Sequence, residues 1–264
     1  MTITAAPPER FDMGRVISAG FGLLARRPLP ILVLVLVLSY LPAAVVGWAT
    51  SQLAGPPPQP GVVPDLGATF QRLGVLEGIA FVAAGFGWIM HGGVALVATA
   101  DAAGRGGEIR SQLAMLATSA PLIFIAGVVA ALAVGLGTLL LIVPGILLAL
   151  AWVLCPAVAA VEGKGFVDMF RRSAELTRGH RGALFGILLL LGVAGGVASF
   201  GLRFVAGVPL LARGSLPPLF TFVLQPALSA AFAAVSASVY AAAYLELRGV
   251  KEGFSAGNAA SVFD

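Results

Sequence analysis

The segment PLIFIAGVVAALAVGLGTLLLIVPGILLALAWVLCPAVAAV, residues 121–161, decides the fold class of this protein. It belongs to a longer stretch, residues 111–161, that contains no Asp, Glu, Lys or Arg. Because about 20 apolar residues cross a bilayer once, this stretch is long enough for two crossings. A Val-Pro-Gly motif at residues 143–145 lies within it, and Pro and Gly together punctuate helices. We therefore predict a helical hairpin, with a single helix kinked at Pro144 as the alternative.

The composition of the whole chain extends this prediction to a polytopic membrane protein. Of its 264 residues, 59% are apolar and 11% are charged, and the mean hydropathy is +0.99. A soluble domain has about 25% charged residues, so this chain cannot cover an ordinary protein surface. We predict an all-α transmembrane bundle with six spans, at residues 29–50, 78–100, 121–142, 144–161, 183–202 and 219–245.

The Lys and Arg residues predict the orientation of these spans, because cytoplasmic connections carry most of the positive charge. The two termini and the second and fourth connections hold 13 of them, and the remaining connections hold 3. Both termini are therefore predicted to be cytoplasmic, in the inner membrane of a bacterial cell. Residues 1–28 form an amphipathic N-terminal segment, residues 29–248 the membrane domain and residues 249–264 a tail. The net charge of +4 follows from this topology, so nucleic acid is not expected as a partner.

Amphipathic segments are predicted before three of the six spans. They lie at residues 10–27, 108–120 and 165–181, ahead of the first, third and fifth spans. This order suggests three copies of a unit made of one amphipathic helix and two spans. The sequence leaves open whether it is a true internal repeat or a similarity of composition.

The third amphipathic segment has the clearest separation of polar and apolar residues. On a helical wheel, Asp168, Arg171 and Arg172 fall opposite Met169 and Leu176. Cationic amphipathic helices lie in the membrane interface, where their basic face meets anionic lipid headgroups. The residues predicted to contact headgroups are Arg171, Arg172, Arg178 and Arg181.

The same segment contains the triplet His180-Arg181-Gly182, which is typical of the start of a glycerophosphodiester phosphodiesterase core. Such an enzyme also needs acidic residues that hold a divalent metal. Here the next acidic residue after Glu175 is Glu246, two spans further along the chain. We therefore predict no catalytic residues, no metal site and no cofactor, and interpret the triplet as a helix end with an arginine that reaches the interface.

Residues 139–192 resemble the membrane domain attached to some bacterial glycerophosphoryl diester phosphodiesterases, and related stand-alone multi-span membrane proteins of unknown function. The resemblance implies a multi-helix membrane fold. It does not imply phosphodiesterase activity, since the catalytic barrel of those enzymes is a separate domain for which this chain has no room. The matching positions are Val143-Pro144-Gly145, Pro156, Glu162-Gly163, Arg172-Ser173, Leu176-Thr177-Arg178-Gly179, Tyr244 and Arg248.

Three polar residues inside the predicted spans are candidates for function, since polar groups are rare and costly in a bilayer. His91 lies in the middle of a span and either binds a proton or substrate or bonds a neighbouring helix. Glu77 is predicted at headgroup depth. Gln225 is predicted to hydrogen-bond between helices rather than to bind a ligand. Small residues four apart in the fifth span indicate close packing within the chain or in a homo-oligomer.

These observations predict a non-enzymatic membrane scaffold or accessory protein that engages lipids, a protein partner, or both. The alternative is a small transporter or lipid-handling permease that uses His91. A continuous polar cavity that reaches His91 would favour the alternative, and a tightly packed interior would count against it. A membrane-embedded enzyme is the third hypothesis and has no converging catalytic groups in the sequence.

Overall fold

A computed structural model describes residues 11–53, 65–106, 109–205 and 218–253, together with the backbone of 206–213. The described residues are almost entirely helical and include no β-strand. Six helices are long and apolar enough to cross a membrane, so the all-α, multi-span fold class is confirmed. These spans are Pro28–Leu53, Leu66–Ala102, Ile109–Leu140, Ile142–Glu162, Arg181–Val205 and Phe220–Glu252.

Several spans are built from more than one helical segment. The first span joins two α-helices through a π-helical turn at Leu36–Tyr40, and the sixth span opens with a π-helical turn at Phe220–Leu224. Within the described residues the α-helices are α1 (Met13–Arg26), α2 (Pro28–Val35), α3 (Leu41–Leu53), α4 (Leu66–Ala102), α5 (Ile109–Leu140), α6 (Ile142–Trp152), α7 (Cys155–Glu162), α8 (Phe166–Thr177), α9 (Arg181–Arg213) and α10 (Gln225–Glu252).

The predicted hairpin in the uncharged stretch is present, and the single kinked helix is not. Leu141 has extended backbone angles, φ −155° and ψ 125°, and separates α5 from α6. The turn therefore precedes the Val-Pro-Gly motif. Pro144 lies in the first turn of α6, where the missing amide hydrogen costs no helical bond. Gly145 packs against Thr138 so closely that a Cβ atom would lie 2.6 Å from the Thr138 backbone nitrogen.

The second amphipathic segment, predicted at residues 108–120, is not a separate helix. Residues 109–120 instead form the first three turns of α5, which continues through Pro121 without a break. Helix α5 packs against α4 on both sides of this proline, through Leu116 against Gly93 and Ile123 against Gly92. This packing explains why one missing hydrogen bond does not end the helix. In the described helices the second amphipathic segment and the third span are therefore one continuous helix, and the threefold repeat stays a prediction.

Helix α9 continues beyond the predicted fifth span, to Arg213. Its membrane-crossing part is Arg181–Val205, close to the predicted residues 183–202. Helix α4 is long too, since 37 residues correspond to about 55 Å of helix and the hydrocarbon core is about 30 Å thick. Residues 1–10 of the predicted N-terminal segment, the Pro-rich residues 54–64, Glu108 and residues 254–264 of the predicted tail lie outside the described residues.

The most deeply buried residues lie toward one end of the bundle, whereas most of the remaining spans expose apolar side chains. Val94, Leu154 and Leu247 are fully or almost fully buried at this end. At the α5–α6 turn, by contrast, Leu139 is 82% exposed. Side chains this apolar are stable outside a core when hydrocarbon surrounds them, which fits six membrane spans.

Candidate functional site

Ion pairs hold α1 against the buried end of the bundle. The Arg15 Nε donates to Glu246 Oε1 on α10 at 2.8 Å. The guanidinium groups of Arg26 and Arg27 donate to the Asp101 carboxylate at 3.0 and 2.7 Å. We call this part of the molecule the charged end, defined by the carboxylates of Asp101, Glu162, Glu246 and Glu252. Helix α1 begins at an Asp12 N-cap, whose side chain accepts from the Arg15 amide.

Glu162 is the centre of a buried network at the charged end. Its side chain is 9% exposed and accepts from Arg172 Nε at 3.0 Å. The hydroxyl of Tyr244, which is fully buried, donates to the other Glu162 oxygen at 3.1 Å. Arg248 donates to the same hydroxyl at 3.2 Å. The C-terminus of α7, helix α8 and helix α10 therefore meet at one carboxylate.

Glu252 is the second carboxylate of this network. It pairs with Arg172, and it accepts from Arg248 Nε at 3.2 Å. The network therefore contains two arginines, Arg172 and Arg248, and two carboxylates, Glu162 and Glu252, whose formal charges sum to zero. Burial alone would lower the pKa of Arg172, but its bonds to Glu252 and Glu162 outweigh burial and raise the pKa. Arg172 is therefore cationic at any physiological pH.

The buried residues of α8 lie against the protein itself. Met169 and Leu176 are buried in the common core, and Ser173 Oγ donates to the Ala151 carbonyl at 2.7 Å. Lys251 donates to the Glu175 and Arg178 carbonyls at the C-terminal end of α8. The contact of α8 with the lipid interface stays a prediction. Among its apolar residues Val167 is 73% exposed.

The four arginines predicted to contact headgroups have different environments. Arg172 is committed to Glu162 and Glu252, so a headgroup role does not fit it. Arg171 is exposed and pairs within α8 with Asp168 at 2.9 Å and Glu175 at 4.0 Å. Arg178 is also exposed. Arg181 is half-buried, and its Nε is buried without a hydrogen-bond partner among the described residues.

The His180-Arg181-Gly182 triplet lies at the start of α9 and packs against the N-terminal segment. The His180 ring is 5.7 Å from the Phe11 ring, centroid to centroid. Among the described residues no group of three His, Cys, Asp or Glu is arranged to hold a metal ion. The absence of catalytic and metal-binding residues remains a prediction from the sequence.

His91 lines a cavity of about 300 Å³ between α4, α5, α6, α9 and α10. Its Nδ1 lies 2.7 Å from the Gly87 carbonyl oxygen, one turn earlier in α4. The Tyr240 ring is tilted against the imidazole at 6.1 Å between centroids. The described lining includes no Lys, Arg, Asp or Glu and consists of Trp88, His91, Ala130, Ala131, Val134, Ala149, Trp152, Val153, Pro156, Leu188 and Tyr240.

The other two polar candidates do not join His91. Glu77 is exposed on α4, 14 residues before His91, which corresponds to about 21 Å along the helix. Gln225 is half-buried where the π-helical turn meets α10, beside Pro226, and does not line the cavity. The helix–helix hydrogen bond predicted for Gln225 and the headgroup depth predicted for Glu77 stay predictions.

Sequence reasoning did not identify the buried network as a unit or the aromatic walls of the cavity. Glu162, Tyr244 and Arg248 were recognised only as matching positions in the family resemblance, and Arg172 also as a predicted headgroup contact. The structure brings all four together. One further signal was available, because Glu162 is the residue that ends the uncharged stretch. Trp88, Trp152 and Tyr240 carried no signal that separates them from ordinary membrane-facing aromatics.

Comparison with known families identifies one match, to a family described as Domain of unknown function (DUF7847), over residues 11–247. Because the match covers most of the chain, this protein belongs to that family. The matched residues include α1, the first five spans, the sixth span up to Leu247 and the cavity lining, whereas Arg248 and Glu252 of the network follow the matched region. Comparison with curated proteins and with solved structures gives no match.

Proposed function

We propose that this member of the DUF7847 family is a non-enzymatic membrane protein that binds a lipid in the cavity at His91. The observation that carries the proposal is an apolar cavity with a few polar groups, open at the side of a transmembrane bundle. Ligand sites are typically apolar concavities with a small number of polar groups that orient the ligand. A membrane protein that presents such a site to the bilayer selects from the molecules dissolved there.

The surroundings of the cavity support a lateral opening. Trp152 and Ala149 on α6 and Leu188 on α9 are only half-buried, so the cavity reaches the surface of the bundle. The neighbouring surface is apolar, with Leu147 47% exposed and Leu190 52% exposed. In a bilayer this surface faces hydrocarbon, and an acyl or isoprenoid chain can enter between α6 and α9 without crossing a polar barrier.

The lining also favours lipid over a water-soluble solute. A continuous polar cavity at His91 would support a transporter for hydrophilic substrates, whereas this cavity has almost entirely apolar walls. The lipid-handling form of the transporter hypothesis agrees with the same walls. We therefore retain lipid handling and give less weight to transport of polar solutes.

A scaffold role remains the second candidate function, supported by the charged end. The proposal includes an inner-membrane location with cytoplasmic termini, on the basis of the Lys and Arg distribution. The exposed Arg178 would then lie at the cytoplasmic surface, where it can meet anionic headgroups or a partner. The resemblance to membrane domains attached to phosphodiesterases fits an accessory role and is part of this proposal.

Filling the cavity tests the lipid-binding proposal. Ala149→Phe places a ring in the cavity, so we expect at least a several-fold loss of the lipid that stays bound after extraction. The measurement is mass spectrometry of the intact protein purified with its native lipids. Leu147→Phe is the matched control, since Leu147 is exposed on the same helix outside the cavity lining. Equal lipid on both variants, or a stoichiometric protein partner in place of lipid, would contradict the proposal and favour the scaffold.

A further inference from the structure

We propose that the ligand of the cavity is an uncharged lipid alcohol, whose hydroxyl lies between His91 and Tyr240. This inference rests on the proposed lipid-binding function and specifies the chemical class of the lipid. The inference is based on two polar side chains of the cavity, because His91 offers a hydrogen-bond acceptor and Tyr240 offers a donor. The absence of a cation from the described lining further restricts the ligand to uncharged lipids.

His91 offers an acceptor to the cavity. Its Nδ1 lies 2.7 Å from the Gly87 carbonyl oxygen, and a carbonyl can only accept. The proton of the neutral imidazole is therefore assigned to Nδ1, which leaves Nε2 as an acceptor. The backbone bond also fixes the ring, so that the nitrogen away from Gly87 is the one available to a ligand. A ligand that satisfies His91 must bring a donor.

Tyr240 is the second residue with a polar group beside the imidazole in the same cavity. Its ring faces the His91 ring at 6.1 Å, and both residues line the cavity. Elsewhere in the described chain, the comparable hydroxyls of Tyr40 and Tyr244 have protein acceptors, the Phe222 carbonyl and Glu162. Within the described residues the Tyr240 hydroxyl has no such acceptor. Tyr240 is half-buried at the cavity, so this hydroxyl is free to donate to an acceptor on a ligand.

One hydroxyl group meets both requirements, because it donates one hydrogen bond and accepts others. An ester or quinone carbonyl could accept from Tyr240 but would leave His91 Nε2 without a donor. A phosphate or carboxylate would bring a charge into a cavity whose described lining has no cation. Unpaired charge in apolar surroundings is strongly unfavourable, so anionic lipids are excluded from this site and restricted to the surface.

The size of the cavity fits the polar end of such a lipid and the start of its chain. About 300 Å³ is at the lower end of the range for ligand pockets, roughly 300–1,000 Å³. The rest of the chain would continue through the opening between α6 and α9 into the bilayer. Two sources of lipid alcohol share this chemistry, a diacylglycerol and a polyprenol.

The tryptophans of the chain make binding measurable. The protein has three, and Trp88 and Trp152 line the cavity whereas Trp48 is 55% exposed on the first span. The variant Trp48→Phe therefore reports on the cavity alone. It is placed in nanodiscs of unlabelled phosphatidylcholine, and its fluorescence is recorded as a lipid with brominated acyl chains is added at low mole fraction. Bromine quenches only tryptophans that it contacts.

Three brominated lipids with identical chains discriminate the chemistry: a diacylglycerol, its acetate ester and phosphatidic acid. We expect saturable quenching by the diacylglycerol, at a mole fraction about fivefold lower than for the ester, which lacks the donor for His91. Unlabelled polyprenol competes if the site takes the isoprenoid alcohol, so its effect distinguishes the two sources. Tyr240→Phe should weaken quenching by the diacylglycerol and by the ester alike, since both can accept from its hydroxyl, and Tyr40→Phe, outside the cavity, should weaken neither.

The outcomes separate the inference from the proposed function. Equal or tighter quenching by the ester or by phosphatidic acid would overturn the alcohol assignment and leave lipid binding intact. Absence of saturable quenching by all three lipids and of any effect of polyprenol would overturn both. All three lipids are compared on one protein, Trp48→Phe, whose substitution lies at an exposed residue outside the cavity, so the preference does not depend on comparing variants that fold differently.

Discussion

Replacing Glu162 with alanine is expected to destabilise the protein by about 3–5 kcal/mol, the cost of breaking a buried ion pair from one side. The substitution leaves Arg172 and Arg248 with Glu252 as their shared carboxylate, so the network acquires a net positive charge. It also removes the acceptor of the Tyr244 hydroxyl, which is fully buried. Three segments of the chain lose their common contact at once.

The measurement is unfolding of the purified protein by titration of SDS into a mild detergent, followed by circular dichroism. Glu175→Ala is the matched control, because this exposed carboxylate on α8 pairs with Arg171 at 4.0 Å and should contribute less than about 1 kcal/mol. Glu162→Gln keeps the side-chain volume and removes the charge, so it separates electrostatics from packing. A Glu162→Ala midpoint equal to that of Glu175→Ala would show that the network does not stabilise the fold.

The second large effect is expected at the α5–α6 turn, where Gly145→Ala should destabilise the hairpin by about 1–3 kcal/mol. A Cβ at Gly145 would lie 2.6 Å from the Thr138 nitrogen and 2.8 Å from its Cα. These are backbone atoms, so a change of rotamer cannot relieve the contact. The two helices must move apart, and α5 and α6 both line the lipid cavity.

Gly135→Ala provides a control with the opposite expected sign. Gly135 lies in α5, and a Cβ there meets nothing within 4 Å. Alanine should therefore stabilise this helix slightly, by about 0.5–1 kcal/mol, through its better helix propensity. Thermal unfolding of both variants in the same detergent compares them directly. If Gly145→Ala is as stable as Gly135→Ala, the close packing of the α5–α6 turn is wrong.

Much of the fold could be predicted from the sequence because membrane spans are local features. Each span is a run of apolar residues whose length is set by the bilayer, and six were predicted and found. The hairpin at Pro144 was predicted for the same reason. Its turn was misplaced to the motif itself, because a proline in the first turn of a helix looks in the sequence like a helix end.

The sequence pattern could not show what covers a helix surface. A hydrophobic face does not reveal whether lipid or protein covers it, and in α8 Met169 and Leu176 face the protein core. The same ambiguity applies to residues 109–120, which continue into α5. Deciding these cases requires knowledge of which helices are neighbours.

Less of the candidate site than of the fold could be predicted from the sequence. Tyr244 and Glu162 are 82 residues apart and belong to different spans, so their contact depends on how the bundle packs. His91 was identified because a polar residue in the middle of a span is conspicuous. Its partner Tyr240 was not identified, since a tyrosine in an alanine-rich helix resembles an ordinary packing residue.

The most direct test of lipid binding is an electron cryo-microscopy map of the protein in lipid nanodiscs, with a rigid antibody fragment bound to give sufficient mass. The account predicts elongated density that enters between α6 and α9 and ends between His91 and Tyr240. A cavity closed by inward movement of Leu188 and Trp152, with density only on the outer surface of the bundle, would contradict it.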